Sequence, residues 1–146
     1  MSNARFDTAA EAECSVDVDR LLDSAKPDTA LVFVANPGNP TGTCIARDDI
    51  ERLRAGLRDD ILLVIDEAYG EFNPHAAPLF HLCDRGDTIV TRTFSKAYAL
   101  AGQRVGWGVF HEAVATEVRK LLNPNNISLV SQAMAEAAMR DQAHMA

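Results

Sequence analysis

Apolar residues in this chain fall into two kinds of pattern, one helical and one extended. Val18, Leu21, Leu22 and Ala25 recur at the i, i+3, i+4, i+7 spacing of one helix face, with Ser15 placed to cap that helix and Pro27 to end it. LVFVA at 31–35 is instead short, apolar throughout and partly β-branched. Bounded by turn residues, such a run predicts a strand buried on both faces, the usual situation in a parallel sheet. Ile50, Leu53 and Leu57 then mark one face of a helix whose other positions are mostly charged, and ILLVI at 61–65 predicts a second buried strand. TIVTR at 88–92 and RVGWGVF at 104–110 predict a third and a fourth.

Two helices follow. The first, over 111–122, has Glu112 in its opening turn and Arg119 and Lys120 in its last, the polarity the helix dipole favours, with Pro124 just beyond. The second starts near Ser128 and keeps helical spacing through Val130, Met134, Ala137 and Ala138. No Gly, Asn or Pro stop signal precedes Ala146, so this helix is expected to be unfinished there. Strand and helix alternate without a repeat, a linker or a low-complexity tract, which predicts one α/β unit, complete or not.

Composition narrows the function classes. With 146 residues, 47% of them apolar, the chain has the make-up of one soluble globular domain. A net charge of −7 and no basic patch argue against a nucleic-acid binder, because that affinity comes mostly from clustered Lys and Arg. The apolar runs are far too short to span a bilayer, and the acidic first twenty residues hold no apolar core of a secretory signal, so the expected address is the cytoplasm. Cys14, Cys44 and Cys83 are odd in number and widely spaced, which predicts inert reduced thiols rather than a disulfide framework or zinc site. His75, His81, His111 and His144 lack ligand spacing, and no metal is expected. Glycines 102, 106 and 108 are out of register for dinucleotide binding, and no Ser-His-Asp signature is present.

The chemistry-bearing residues lie just after three predicted strands: NPGNPTG (36–42) after LVFVA, DEAY (66–69) after ILLVI, and TFSK (93–96) after TIVTR. If those strands are parallel, the three loops leave one edge of the sheet, where ligands of open α/β sheets bind. Asp66 ends a buried run, where a carboxylate is costly unless a cation or strong donor meets it; a helix cap or a salt bridge is the plain alternative. Lys96 stands beside the hydroxyls of Thr93 and Ser95 and eight positions before Arg104, whose guanidinium fork suits phosphate. In an apolar, partly buried loop near another cation, a lysine has its neutral, nucleophilic form favoured. Asn39 can present an amide to a ligand hydroxyl, and Tyr69 adds a phenol to the same cleft. Phe94, Tyr98 and Trp107, near the lysine, are read as core packing, with lining of the pocket as the alternative.

NPGNPTG, DEAYGEF and TRTFSKAYALAGQRVGW, in that order and spacing, resemble the large domain of fold-type I pyridoxal-phosphate aminotransferases, most of all the histidinol-phosphate type. The resemblance runs from about Val16 to the C-terminus, with 1–15 poorly matched. It implies an incomplete three-layer α/β/α large domain with a mostly parallel sheet. It also implies Lys96 as the lysine that binds the cofactor covalently and later serves as base, and Asp66 as partner of the pyridine nitrogen. Tyr69 and Asn39 are implied at the ring hydroxyl, and Thr93, Ser95 and Arg104 at the phosphate. A cis bond at Asn39-Pro40 is implied as well. Gln103 departs from the Leu that relatives often carry.

The implied activity is transfer of an amino group between glutamate/2-oxoglutarate and histidinol phosphate/imidazole acetol phosphate, on a small amino-acid or amino-alcohol phosphate substrate. Related aromatic aminotransferases and a phosphothreonine decarboxylase share much of the pattern. Family members are much longer and work as dimers. Their covering arm, phosphate-cradling turn and ring-stacking aromatic lie upstream of the matched region, and their smaller domain with its carboxylate-gripping arginine lies downstream. An alternative reading is therefore a non-catalytic remnant, or a fragment that needs a complementing chain. A slice of parallel sheet leaves edges and core faces uncovered, which predicts poor solubility or obligatory association.

Overall fold

Asp17, rather than Ser15, starts the first helix of the computed structural model, which describes residues 16–73 and 78–145. Its carboxylate accepts the N–H groups of Asp19 and Arg20 at 3.0 and 3.2 Å, satisfying two of the donors a helix start leaves open. Ser15 lies outside the described residues. Helix α1 (Val18–Ser24) packs on helix α2 (Arg47–Gly56) so closely that a Cβ at Gly56 would stand 2.8 Å from Leu22 Cδ2.

The strands are β1 (Leu31–Ala35), β2 (Leu62–Asp66), β3 (Thr88–Thr93) and β4 (Gly106–Val109), in that spatial order. The first three run parallel and β4 returns antiparallel to β3. Val34 lies opposite Ile65, and Ile65 opposite Val90. Those side chains and Leu63 form one face of the sheet, packed with Val18, Ile50, Leu53 and Leu57 from the α1–α2 layer and with Leu82 and Cys83 from the 3-10 turn Phe80–Arg85. Gly86 ends that turn in the left-handed conformation, φ 89°, which only glycine adopts freely. The result is a layered α/β unit with a mostly parallel sheet, as expected.

Three details differ from the sequence reading. Strand β1 is covered on one face only: Leu31 and Phe33 are 42% and 63% exposed, because no described element lies over them. Arg54, a charged residue at i+4 from Ile50 on the apolar face of α2, is fully buried. Its guanidinium donates to the carbonyls of Ile61, Asp87, Leu57 and Arg58 at 2.7–3.1 Å, with the Asp87 carboxylate 3.6 Å from Nε. It thus closes the α2–β2 turn onto the start of β3. The last helix also ends earlier than expected.

Helix α3 (Glu112–Leu121) is capped by His111, whose Nδ1 accepts the Ala113 N–H, and helix α4 (Leu129–Arg140) by Ser128. Helix α4 stops at Arg140, where the Asp141 N–H folds back to the carbonyls of Ala137 and Ala138. It docks through Ala135 against Phe94 and Val105, with Tyr98, Leu100, Trp107 and Ile127 around them. Phe94, Tyr98 and Trp107 are thus packing residues, as expected; the Phe94 and Tyr98 rings lie 4.8 Å apart. Cys83 is buried and Cys44 exposed, both as free thiols; Cys14 lies outside the described residues.

Candidate active site

All three loops do leave the carboxyl edge of β1–β2–β3. After β1, the buried Asn36 extends the ladder by donating its N–H to the Asp66 carbonyl at 2.9 Å. Its side-chain amide then closes the loop against Ile45, accepting the Ile45 N–H at 2.8 Å and donating to the Ile45 carbonyl at 3.3 Å. Inside that loop Gly38 N–H reaches the Thr43 carbonyl, and Gly42, at φ 71°, returns its N–H to Gly38. Both Asn36-Pro37 and Asn39-Pro40 are cis. Asn39 stands on this frame and donates from Nδ2 to the Tyr69 hydroxyl at 3.4 Å.

Asp66 is the last residue of β2 and is exposed at the edge. Its Oδ1 accepts the Ala68 N–H at 3.0 Å and the Thr91 hydroxyl at 3.5 Å. The first of these is a local Asx turn that bends the chain so that Tyr69 comes back over the same edge. The Tyr69 ring faces Lys96, whose Nζ lies 5.1 Å from the ring centroid. Lys96 is itself exposed, so the expected partly buried setting of its amine is not found. A cation over a phenol face is a favourable but modest contact at such an exposed position.

The loop that holds Lys96 is fixed from below. Phe94 is buried, donates its N–H to the Val105 carbonyl at 3.1 Å, and accepts the Leu100 N–H at 2.9 Å. The Thr93 hydroxyl accepts the Ser95 N–H at 3.1 Å and donates to the Val105 carbonyl at 3.4 Å, so it braces the loop. Among the described residues, two non-glycine residues adopt the left-handed conformation, Ala99 at φ 56° and Arg104 at φ 54°. Such outliers persist only where their surroundings fix them, and they gather at functional sites. Arg104 turns its Nη1 to the Ala101 carbonyl at 2.9 Å and to Ser95 Oγ at 3.5 Å, which places a guanidinium and a hydroxyl side by side.

The structure therefore groups Asn39, Asp66, Tyr69, Ser95, Lys96 and Arg104 on one edge, with Thr93 beneath. A carboxylate, an amide–phenol pair, a primary amine and a guanidinium–hydroxyl pair are a donor set that fits a flat heteroaromatic ring bearing a hydroxyl, an aldehyde and a phosphate. A groove lined by Asp59, Arg85, Asp87 and His111 lies at the opposite edge; there Arg85 pairs with Asp87 at 3.2 Å and Asp59 at 3.5 Å.

Sequence reasoning missed a second set of residues on the other side of the sheet. Glu67 follows Asp66 and so points to the opposite face, where Arg92 meets it; Glu71 joins them. The signal was there in the D-E pair at a strand end and in one arginine inside an otherwise neutral strand. Gln103 accepts the Ser131 hydroxyl at 3.0 Å, tying the turn before Arg104 to the start of α4. Burial pushes the Tyr98 phenol up, helped by the Glu71 carboxylate and opposed by Arg92.

The family described as "Aminotransferase class I and II" matches residues 3–146. Histidinol-phosphate aminotransferase of Cereibacter sphaeroides is 47% identical over 137 residues, covering 93% of this chain and 38% of that protein. The protein of the same name from Paramagnetospirillum magneticum is 45% identical, covering 94% and 39%. Among solved structures, histidinol-phosphate aminotransferase from Sinorhizobium meliloti in complex with pyridoxal-5'-phosphate superposes with a TM-score of 0.83 at 36% identity, over 88% of this chain and 36% of that one. The chain thus spans about two fifths of the length of the relatives it matches. Among the described residues no helix is long and apolar enough to cross a membrane.

Proposed function

Because the chain belongs to the class I and II aminotransferase family, we propose that it provides the cofactor half of a pyridoxal 5'-phosphate-dependent transamination site of the histidinol-phosphate type. What supports this reading is the convergence of three loops at one sheet edge, with the Asp66 carboxylate, the Asn39–Tyr69 pair, Lys96 over the Tyr69 ring and the Ser95–Arg104 pair all on that edge. In it, Asp66 holds the proton on the ring nitrogen. Tyr69 and Asn39 bond the ring hydroxyl, and Ser95 and Arg104 bind the phosphate, with Thr93 bracing their loop.

Lys96 would hold the cofactor through its amine and would serve as the base that moves the proton at the substrate α-carbon. Bound pyridoxal phosphate supplies the electron sink that makes this proton labile. The amino group passes between glutamate/2-oxoglutarate and histidinol phosphate/imidazole acetol phosphate; support for that substrate class is the name of relatives up to 47% identical. Residues 16–146 are then part of the family's large domain, working in the cytoplasm on a small-molecule substrate and within a dimer.

A second reading, that this polypeptide alone holds no cofactor, draws on the exposure of Lys96 and Asp66. One titration separates the two. Adding pyridoxal phosphate to the purified chain is expected to raise an absorbance band that is absent from Lys96→Ala. No band, or one equally strong in the variant, would leave the second reading standing.

A further inference from the structure

Beneath the site, on the far face of the sheet, lies a charge cluster that the proposed chemistry does not use. Arg92 is one residue before Thr93 on β3, and its side chain takes the opposite face. Its Nε and Nη2 both donate to Glu67 Oε2, at 2.9 and 2.7 Å, and its Nη1 donates to Glu71 Oε1 at 3.4 Å. All three side chains are largely buried. The guanidinium also lies 5.4 Å from the Phe80 ring and 5.7 Å from the Trp107 ring. Against Gly70 the fit is close enough that a Cβ there would meet Arg92 Cζ at 3.3 Å.

Glu67 and Glu71 are the two ends of a five-residue arc whose middle is Tyr69 and whose preceding residue is Asp66. Other bonds shape the arc as well: Glu67 N–H to the Thr91 carbonyl and Gly70 N–H back to the Glu67 carbonyl, both at 2.9 Å, Ala68 N–H to Asp66 Oδ1 and Phe72 N–H to the Tyr69 carbonyl, both at 3.0 Å, and Asn39 Nδ2 to the Tyr69 hydroxyl at 3.4 Å. The Arg92 cluster is the tie that joins its two ends. A buried ion cluster is weak evidence for stability, since desolvation offsets most of its attraction, but it is well suited to fixing one geometry. Arg92 belongs to the same strand that leads into Ser95 and Lys96.

We propose that Arg92 is a positioning residue for the site: by gripping Glu67 and Glu71 it sets Asp66 and Tyr69 relative to the Lys96 loop. The inference rests on the cofactor reading above. Lysine cannot replace it fully, because an ammonium is a point donor and lacks the fork that reaches both carboxylates.

The test uses the full chain with Arg92→Met, Arg92→Lys, Glu71→Gln, Tyr69→Phe and the Arg92→Met/Tyr69→Phe double variant. In the cofactor-free proteins, hydrogen exchange is expected to quicken over 67–73 in Arg92→Met while 31–57 keeps its protection, a local rather than global opening. In pyridoxal phosphate titrations, Arg92→Met is expected to weaken the Lys96-dependent band by about tenfold or more, with Arg92→Lys and Glu71→Gln between it and wild type. If Arg92 acts through Tyr69, its penalty shrinks on the Tyr69→Phe background. Equal penalties on both backgrounds, or a band that Arg92→Met leaves unchanged, would overturn the positioning role alone. Absence of the band in wild type would overturn the cofactor reading, and this inference with it.

Discussion

Neighbouring residues of β1 face opposite surroundings. Val34 is buried among Ile65, Leu63 and the α1–α2 layer, whereas Phe33, one position earlier, is 63% exposed. Both are apolar, and the strand pattern treats them alike. The difference teaches that an apolar run records which faces a strand can bury, while coverage depends on what is packed there. Fully burying such a side chain contributes about 1.5–3 kcal/mol, so the helix-covered face supplies the framework's cohesion. The carboxyl edge, with exposed Asp66 and Lys96, is held in shape by that framework and by hydrogen bonds from its own loops.

The two faces can be set against each other by substitution. Leu63→Ala, on the covered face, is expected to lower the unfolding free energy by about 2–5 kcal/mol in a denaturant titration, since it removes fully buried atoms and leaves a cavity. A loss under about 1 kcal/mol would mean that α1 and α2 close over the gap. Asp17→Ala removes the α1 cap and is expected to cost about 1 kcal/mol in the same titration, with Asp17→Gly nearer to wild type. A null result would show that α1 owes its position to Val18 and Leu22 packing alone.

Cys83 sharpens the contrast through pH. Burial pushes its thiol up, with the Asp84 and Glu67 carboxylates adding to the effect and a backbone bond from Val90 opposing it. The folded state thus holds this proton more tightly than the unfolded chain. That contribution is complete below the unfolded thiol's pKa of about 8.5, and it is lost as pH rises through the folded value. Wild type is therefore expected to lose more stability than Cys83→Ala between about pH 8 and 10. On a Cys14→Ser background, Cys44 should react promptly with a thiol reagent and Cys83 only on unfolding. Equal rates would contradict the burial.

The smallest effect is expected on the open face. Phe33→Thr replaces one strand-favouring residue of β1 by another, β-branched one and should change stability by no more than about 0.5 kcal/mol. A loss comparable to that of Leu63→Ala would mean this face is covered in solution, by a second copy or by further chain.

Much of this arrangement was legible in order and spacing. LVFVA is β1 residue for residue, TIVTR lies within β3, and the alternation with helices gave the parallel pairing that sends NPGNPTG, DEAY and TFSK to one edge. His111 and Ser128, at the edges of the expected helices, are the residues that cap them. Other features depended on partners distant in sequence. Arg54 falls on the buried face of α2 by spacing alone, but the carbonyls of residues 57, 58, 61 and 87 that accept its donors are brought to it only by the fold. Arg92 and Glu67 meet only because β2 and β3 are adjacent, 25 positions apart in the chain. The open face of β1 has the same composition as a covered one.

By itself, then, the sequence determined the periodicities, the turns and the types of chemical group at the strand ends, because each is a property of residues near one another in the chain. The tertiary structure alone decided that Asn39 reaches Tyr69, that Lys96 faces the same ring, that Thr93 is spent on bracing its loop, and that Glu67, Glu71 and Arg92 close on each other below. The physical reason is that burial and hydrogen bonding act between surfaces. Which surfaces meet is settled by how strands and helices pack, and local pattern constrains that packing without fixing it.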